Sequence, residues 1–421
     1  MTTIRRYLTL NDKKTEKAVF IFCWIAYFSV YTGRYNFSAA LAQMTDEGFI
    51  SSAEGGLIAS FFFFAYGFGH IIAGFLGDRT SPFMMIGLGM SVSAALNLSM
   101  MIAPENAVPA MCVIWGLNGL SQSVIWSPIV RIFSQLLSEE RRFKASVNIN
   151  TTVPAGILFT YLLSAALLSV FTWRSVFAAA GIILTAVSVA WFSYYFSVRK
   201  KFVLTSDPVE AKHDSGKRVT GKISGGFIAV VLLILTLPVV WHGMLKDSIT
   251  TLFPVYLQSE HNIPPNFAVL LTTFLPLINL TGVYAAKAIY TKVRQKELIT
   301  CAWLFAATAV SFAAMFLVGR FNPYIATILA AVGTSSMFGV NSILVSVLPM
   351  SFGASGYAST VTGVLNAVTY IGVGISTIGI GSISEKAGWL TTIAAWAVLA
   401  AAGAGLCFVL NRPWGKRRPS G

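Results

Sequence analysis

The sequence is poor in charged residues, which make up only 11% of its 421 positions. An ordinary soluble domain carries about 25%, so this chain lacks the polar side chains needed to cover a water-facing surface. The deficit excludes a soluble enzyme, a disordered protein and a nucleic-acid-binding domain. Hydrophobic residues reach 55% and the mean hydropathy is +0.71. The composition therefore predicts a polytopic membrane protein with no nucleic-acid partner.

Several chemical motifs are also missing from the sequence. It has no GxxxxGK[ST] stretch for nucleotide binding, no HExxH pair and no Cys/His cluster with metal-ligand spacing. Histidine occurs only 4 times. The cysteines lie in separate apolar runs without paired spacing, so we interpret them as small core residues: Cys23, Cys112, Cys301 and Cys407. We therefore expect neither an enzyme nor a cofactor or metal site.

Long apolar runs dominate what is present. They predict membrane-spanning helices over 19–41, 54–76, 83–103, 107–130, 145–169, 175–197, 226–256, 266–290, 298–318, 323–349, 357–383 and 388–410. The first run is expected to remain in the mature protein as a span. The polar stretch 198–225 separates six spans from six. The prediction is an all-α membrane protein with twelve transmembrane helices in two six-helix bundles, 1–197 and 226–421, joined by a linker at 198–225.

Lysine and arginine are distributed unevenly between the two sides of these spans. One side, with both chain ends and the linker, carries 24 of the 30 basic residues, whereas the other side carries Arg174, Arg320 and Lys386. Cytoplasmic loops are enriched in these residues. We therefore expect a multi-pass protein of the cell (inner) membrane with both termini in the cytoplasm.

Two cations lie well inside predicted spans, Arg34 in the first and Lys246 in the seventh. A charge near the bilayer centre costs at least about 2.5–3.5 kcal/mol, so such residues are usually functional. Two six-helix halves are typical of secondary transporters, whose substrate site lies between the halves near the midplane. If both first helices face that cavity, the two cations form a site for a phosphate or carboxylate.

Neighbouring side chains leave alternatives open. Tyr27 and Tyr31 share a helix face with Arg34. Asp247 follows Lys246, but consecutive helical residues point about 100° apart and need not pair. Asp247 and His70 are also candidate proton sites, because an ionisable group in a membrane cavity can change the cavity charge.

Longer segments resemble a known family. The loop GFLGDRTSP resembles the G-x-L-x-D-R loop of the major facilitator superfamily. YTGRYNF, GLNGLSQSVIWSPIVRIFSQLLSEERR, GVNSILVSVLPMSFGASGYASTVTG and NAVTYIGVG resemble the organophosphate:phosphate antiporter family, which includes glycerol-3-phosphate and hexose-6-phosphate transporters. The resemblance runs over both halves and implies the fold of that superfamily.

The resemblance also implies roles for individual residues. His70 stands where the phosphate transporters have a lysine, and Lys246 stands where they have a second arginine. The implied substrate-binding residues are Tyr27, Tyr31, Arg34, Tyr66, His70, Asn148, Lys246 and Tyr370. The implied gating residues are Asp78, Arg79 and Glu139.

Three functions remain at this point. The first is a carrier that exchanges a small organic anion, a phosphate ester, for inorganic phosphate by alternating access. The second is a proton-coupled carrier of a carboxylate or sugar acid. The third is a sugar-phosphate sensor without transport, for which the chain shows no added signalling domain. In each case we expect a monomer in the lipid bilayer.

Overall fold

The computed structural model describes residues 7–9, 13–77, 80–105, 107–137, 145, 148–198, 203–205, 225–294, 296–348 and 358–417. Almost all of them are helical, because a backbone that crosses lipid must satisfy its N–H and C=O groups internally. A short antiparallel ribbon pairs Tyr7–Thr9 with Val203–Thr205. It ties the N-terminal tail to the segment that follows the sixth span.

The first half contains spans one to six. The first span consists of two helices, Lys13–Thr32 and Asn36–Asp46. The next three are Ser52–Gly77, Pro82–Met101 and Val108–Leu136. The fifth begins with the 3₁₀ turn Ile149–Thr151 and continues as Thr152–Leu168, and the sixth is Trp173–Val198.

The second half repeats this arrangement. The seventh span is Gly225–His261, and the eighth consists of Pro265–Thr272 and Phe274–Lys292. The ninth is Glu297–Val318, followed by the 3₁₀ turn Gly319–Phe321. The tenth is Pro323–Asn341, which the π-helical turn Ser342–Val347 extends. The last two spans form one stretch, Ala358–Arg417, broken at Gly388, whose φ of 80° lies in the left-handed region that favours glycine.

These helices coincide with the predicted spans. Within the described residues, 7 helical segments are long and apolar enough to cross a membrane by length and composition, and one of them, Gly363–Gly415, holds the last two spans. The prediction of an all-α membrane protein with twelve spans in two six-helix bundles is confirmed. The domain boundaries stay a prediction, because 199–202 and 206–224 lie outside the described residues.

The two bundles meet mainly where the first span packs on the seventh, the second on the eleventh, and the fifth on the eighth, and the first span also contacts the eighth. We call the end opposite the chain termini the distal end. It is formed by the described residues of the turns at 47–51, 102–105, 169–172, 262–264 and 319–322 and by the helix break at Gly388. Gly56 and Gly381 allow the second and eleventh spans to touch near this end. A Cβ atom on Gly56 would lie 2.3 Å from the Thr377 carbonyl oxygen, and one on Gly381 would lie 2.6 Å from that of Ser52.

Candidate functional site

The first span breaks at residues 33–35, between its two helices. A helix break inside a membrane frees backbone groups that neighbouring side chains must satisfy. The Gly33 carbonyl oxygen accepts hydrogen bonds from Asn118 Nδ2 at 2.8 Å, Gln122 Nε2 at 3.0 Å and Asn97 Nδ2 at 3.4 Å. Three amide side chains of the third and fourth spans therefore hold the backbone immediately before Arg34.

The guanidinium of Arg34 lies in a cage of aromatic rings. Its Cζ is 4.5 Å from the ring centroid of Tyr66 on the second span and 5.5 Å from that of Tyr370 on the eleventh. Three further rings, those of Tyr35, Phe62 and Phe63, lie 5.2–5.7 Å away. Arg34 Nε is buried without a hydrogen-bond partner among the described residues. The cage thus leaves a donor of this cation free at the junction of the two bundles.

Lys246 and Asp247 form an ion pair on the seventh span. Lys246 Nζ donates to Asp247 Oδ2 at 2.8 Å, and both residues are buried. Lys246 Nζ also lies 4.7 Å from the centroid of the Phe338 ring on the tenth span. Helical spacing gave no reason to expect this pair. The lysine side chain is long enough to reach the carboxylate of the next residue, Asp247. Burial favours this contact because an unpaired buried charge is costly.

Arg34 and Asp247 belong to one electrostatic cluster across the two bundles. Arg34 interacts electrostatically with Asp247 and with the hydroxyl groups of Tyr35, Tyr66 and Tyr370. Arg34, Lys246 and Asp247 together carry one net positive charge. Charged residues of both halves therefore meet in this cluster. No group of three or more described His, Cys, Asp or Glu residues is suited to hold a metal.

Other predicted site residues surround this cluster. Tyr31 OH lies 3.4 Å from Tyr27 OH, and the Tyr31 ring stacks on Tyr35 with centroids 6.0 Å apart. His70 packs edge-on against Tyr66, with centroids 4.6 Å apart, and interacts electrostatically with Arg34. The structure therefore brings Tyr27, Tyr31, Tyr66, His70 and Tyr370 together around the arginine.

Of the remaining predicted residues, the structure describes only Asn148. Asn148 is exposed at the start of the fifth span, where its carbonyl oxygen accepts a hydrogen bond from Thr151 Oγ1 at 2.7 Å. In the part of the chain that the structure describes, it does not contact Arg34 or Lys246. The predicted gating residues Asp78, Arg79 and Glu139 lie outside the described residues.

The distal side of the cluster is sealed by contacts between the bundles. Ser38 Oγ donates to the Thr251 carbonyl oxygen at 2.6 Å. Further out, Gln258 Nε2 donates to Asp46 Oδ1 at 2.6 Å, and the Ala53 N–H donates to a Glu385 carboxylate oxygen at 3.1 Å. Beside Arg34 this side retains a void of about 10 Å³, which is the size of about one water molecule. The described conformation is closed at the distal end.

Sequence reasoning missed several residues of the site. The aromatic rings of Phe62 and Phe63 belong to a phenylalanine run that looks like lipid-facing surface. The amides Asn97, Asn118 and Gln122 were detectable, because a polar side chain inside an apolar span needs a partner. Their common partner, a backbone carbonyl, was not detectable, because it depends on the break before Arg34.

Comparison with known proteins places this fold in a family. The sequence model of the Major Facilitator Superfamily matches residues 23–377, most of the chain. The chain belongs to the major facilitator superfamily. This facilitator is similar to solved structures of the fold, including a bacterial homologue of the human lysosomal transporter Spinster in an inward-facing, occupied conformation. That structure has a TM-score of 0.76 and 15% identity, covering 97% of this chain and 100% of the other. A D-xylose–proton symporter has a TM-score of 0.68 and 12% identity over 92% and 97%.

Several sequence relatives of this facilitator are named for phosphorylated solutes. A Bacillus subtilis glycerol-3-phosphate transporter is 32% identical over 190 residues, 42% of each chain. The membrane sensor protein UhpC of Salmonella typhimurium is 24% identical over 41% of this chain and 39% of its own. A probable hexose phosphate transport protein of Chlamydia pneumoniae is 23% identical over 30% and 27%. The resemblance to the organophosphate:phosphate antiporter family is confirmed, although the chain spans only about two-fifths of the first two relatives.

Proposed function

We propose that this facilitator is a secondary active transporter of a small organic anion, a phosphate ester that it exchanges for inorganic phosphate. The observation that carries the proposal is the Arg34 guanidinium, which lies between the bundles without a carboxylate within ion-pair distance among the described residues. A planar guanidinium can donate two parallel hydrogen bonds to one oxyanion. The phosphorylated solutes named for the relatives support the same class of ligand.

Alternating access fits the closed distal end. The distal end is closed by hydrogen bonds and glycine contacts between the two bundles. These contacts can break while each bundle stays folded. If the basic loops face the cytoplasm, the sealed end faces the outside of the inner membrane, and in the proposed cycle the solute would enter this conformation from the cytoplasmic side. An anion bound at Arg34 would then exchange with cytoplasmic phosphate before the bundles rock.

Exchange in proteoliposomes tests the proposal. Vesicles loaded with inorganic phosphate should take up labelled phosphate, and Arg34→Ala should lower the rate roughly 10- to 150-fold, because a hydrogen bond to a charged group contributes about 1.5–3 kcal/mol. Arg34→Lys keeps the positive charge but loses the planar guanidinium group. Its exchange rate should therefore lie between those of wild type and Arg34→Ala. Arg320→Gln removes an exposed cation in a distal turn and serves as the control. Unchanged exchange in Arg34→Ala would reject the assigned site.

A proton-coupled carrier of a carboxylate or sugar acid is the second candidate. The buried carboxylate of Asp247 favours it, because carboxylates inside membrane spans often belong to proton pathways. Uptake should then require a pH gradient and respond to Asp247→Asn or His70→Gln. Exchange by phosphate-loaded vesicles in the absence of any pH gradient would exclude this mechanism.

A further inference from the structure

The seventh span contains a proline close to the contacts that close the distal end. Pro254 lies inside the helix Gly225–His261. Proline has no backbone N–H, so the carbonyl oxygen of Thr250, one turn earlier, receives no helical donor from position 254. Thr250 is buried, and inside a membrane-spanning bundle such an oxygen must be satisfied by another group. The proline therefore creates an acceptor that needs a donor from outside its own helix.

The donors that reach this part of the seventh span come from the first bundle. Ser38 Oγ on the first span lies 2.6 Å from the Thr251 carbonyl oxygen and 3.3 Å from that of Thr250. Tyr161 OH on the fifth span lies 3.4 Å from the Thr250 carbonyl oxygen and 3.3 Å from Ser38 Oγ. All four residues are buried. Two hydroxyl groups of one bundle thus converge on two neighbouring carbonyl groups of the other.

Both hydroxyl groups are needed to serve both carbonyl groups. A hydroxyl group has a single hydrogen to donate. Ser38 makes its short contact with Thr251, which leaves the hydrogen of Tyr161 for Thr250. The hydroxyl groups of the two threonines do not compete, since they donate to carbonyl oxygens one turn earlier in their own helix. Side chains of the first bundle therefore replace the N–H that Pro254 lacks.

We propose that Ser38 and Tyr161 are positioning residues of the transport cycle, which close the distal end by donating to the carbonyl group that Pro254 leaves without a helical donor. Opening the distal end breaks these contacts, and water then has to hydrate the exposed oxygen. Leaving a buried acceptor without any donor costs more free energy than one ordinary hydrogen bond contributes. Because of the proline, the closed conformation depends more strongly on the two hydroxyl groups than it would with an unbroken helix. This inference concerns how the facilitator closes and holds for any ligand it carries.

Alanine at two proline positions gives matched backgrounds for a test. Pro254→Ala supplies an N–H that donates to the Thr250 carbonyl oxygen within the helix. Pro238→Ala replaces another proline of the same helix. It restores a donor to the Ile234 carbonyl oxygen instead, which lies about 24 Å farther along the helix axis. Both backgrounds and wild type are then combined with loss of the two hydroxyl groups.

The hydroxyl-free variant Ser38→Ala/Tyr161→Phe is compared with its parent by pulsed electron paramagnetic resonance on the purified full-length protein. Spin labels on Glu47→Cys and Glu260→Cys, exposed at the distal end on opposite bundles, report the ratio of open to closed molecules. In wild type, loss of both hydroxyl groups should raise this ratio roughly 5- to 150-fold, the factor for a buried acceptor left without a donor. Tyr324→Phe, at an exposed position near the distal end of the tenth span, should leave the ratio unchanged.

The two backgrounds separate this role from a merely structural one. In Pro238→Ala, loss of both hydroxyl groups should have the wild-type effect. In Pro254→Ala, the effect should be at least about fivefold smaller, because the helix then supplies the donor and the Thr250 carbonyl oxygen stays satisfied. Equal effects in the two backgrounds overturn the proposal.

A second comparison leaves both prolines in place and decides the question if Pro254→Ala does not fold. Ser38→Ala and Tyr161→Phe each leave one hydroxyl group within 3.4 Å of the Thr250 carbonyl oxygen, so only the double variant removes both donors. Its effect on the ratio should exceed the product of the two single effects at least about threefold. A double effect equal to that product overturns the proposal. Failure of phosphate exchange in wild type overturns the proposed function and not this inference, because the ratio is measured without ligand.

Discussion

We predict that a single methyl group added at Gly56 opens the contacts between the bundles that close the distal end, here called the distal seal. Gly56 on the second span faces the eleventh, and a Cβ atom there would lie 2.3 Å from the Thr377 carbonyl oxygen, where ordinary contacts begin at 3.4 Å. The obstacle is a backbone atom, so it cannot rotate away. The two spans must separate by about 1 Å, and Gly56→Ala should therefore disfavour the conformation that is closed at the distal end.

The expected magnitude follows from the cost of overpacking. Extra methyl groups in a packed interface cost about 1–3 kcal/mol, and a bias of this size changes a conformational equilibrium roughly 5- to 150-fold. If the alternate conformation relieves the contact, this cost appears as a shift of population and not as unfolding. The protein should remain folded while distal-open molecules become readily detectable.

Pulsed electron paramagnetic resonance can measure this shift. Spin labels on Glu47→Cys and Glu260→Cys, both exposed at the distal end on opposite bundles, report the distance across the seal. The four native cysteines are buried. Gly116→Ala is the control, because its Cβ would lie 3.5 Å from the Phe61 carbonyl oxygen, an ordinary contact within one bundle. A distance distribution that Gly56→Ala leaves identical to that of Gly116→Ala would refute the role of this contact in the seal.

Two further changes test separate parts of the structure. Gln122→Leu removes one of the three donors to the Gly33 carbonyl oxygen, so thermal unfolding should show a loss of about 0.5–1.5 kcal/mol. Ser193→Ala, at an exposed position of the sixth span, should stay within about 0.5 kcal/mol. Equal effects of the two variants would contradict the proposed support of the helix break. Glu385→Ala removes the acceptor of the Ala53 N–H and should lengthen the same spin-label distance, whereas Glu105→Ala at another distal turn should not.

The positions of the spans were predictable because lipid imposes a simple rule. A helix that crosses the bilayer needs about 20 apolar residues, and the sequence presents such runs one after another. Arg34 was predictable for the same reason, since a guanidinium inside an apolar run is rare enough to need an explanation. The aromatic cage was predictable only in part: Tyr66 and Tyr370 came from the family resemblance, whereas Phe62 and Phe63 carry no signal apart from their place on the second span.

The break in the first span illustrates what the sequence did not reveal. The segment YTGRYNF has one glycine and no proline, and its apolar run continues on both sides. The break is stabilised by amides on the third and fourth spans, so its position depends on tertiary contacts and not on local preference. The same break places Arg34 outside regular helix, which helps its side chain to reach rings on both the second and the eleventh spans.

The ion pair on the seventh span bears on how a ligand could couple to motion. Lys246 and Asp247 lie on one helix, so they move together when the bundles rock, and their 2.8 Å contact need not change. In the proposed transport cycle, the charge interaction that would change among the described residues is that of Arg34, on the first span, with Asp247. A ligand shifts a conformational equilibrium only by its differential affinity for the two states. An anion that touches Arg34 and the pair at once has such a difference, because it loses one of its contacts whenever the bundles separate at the site.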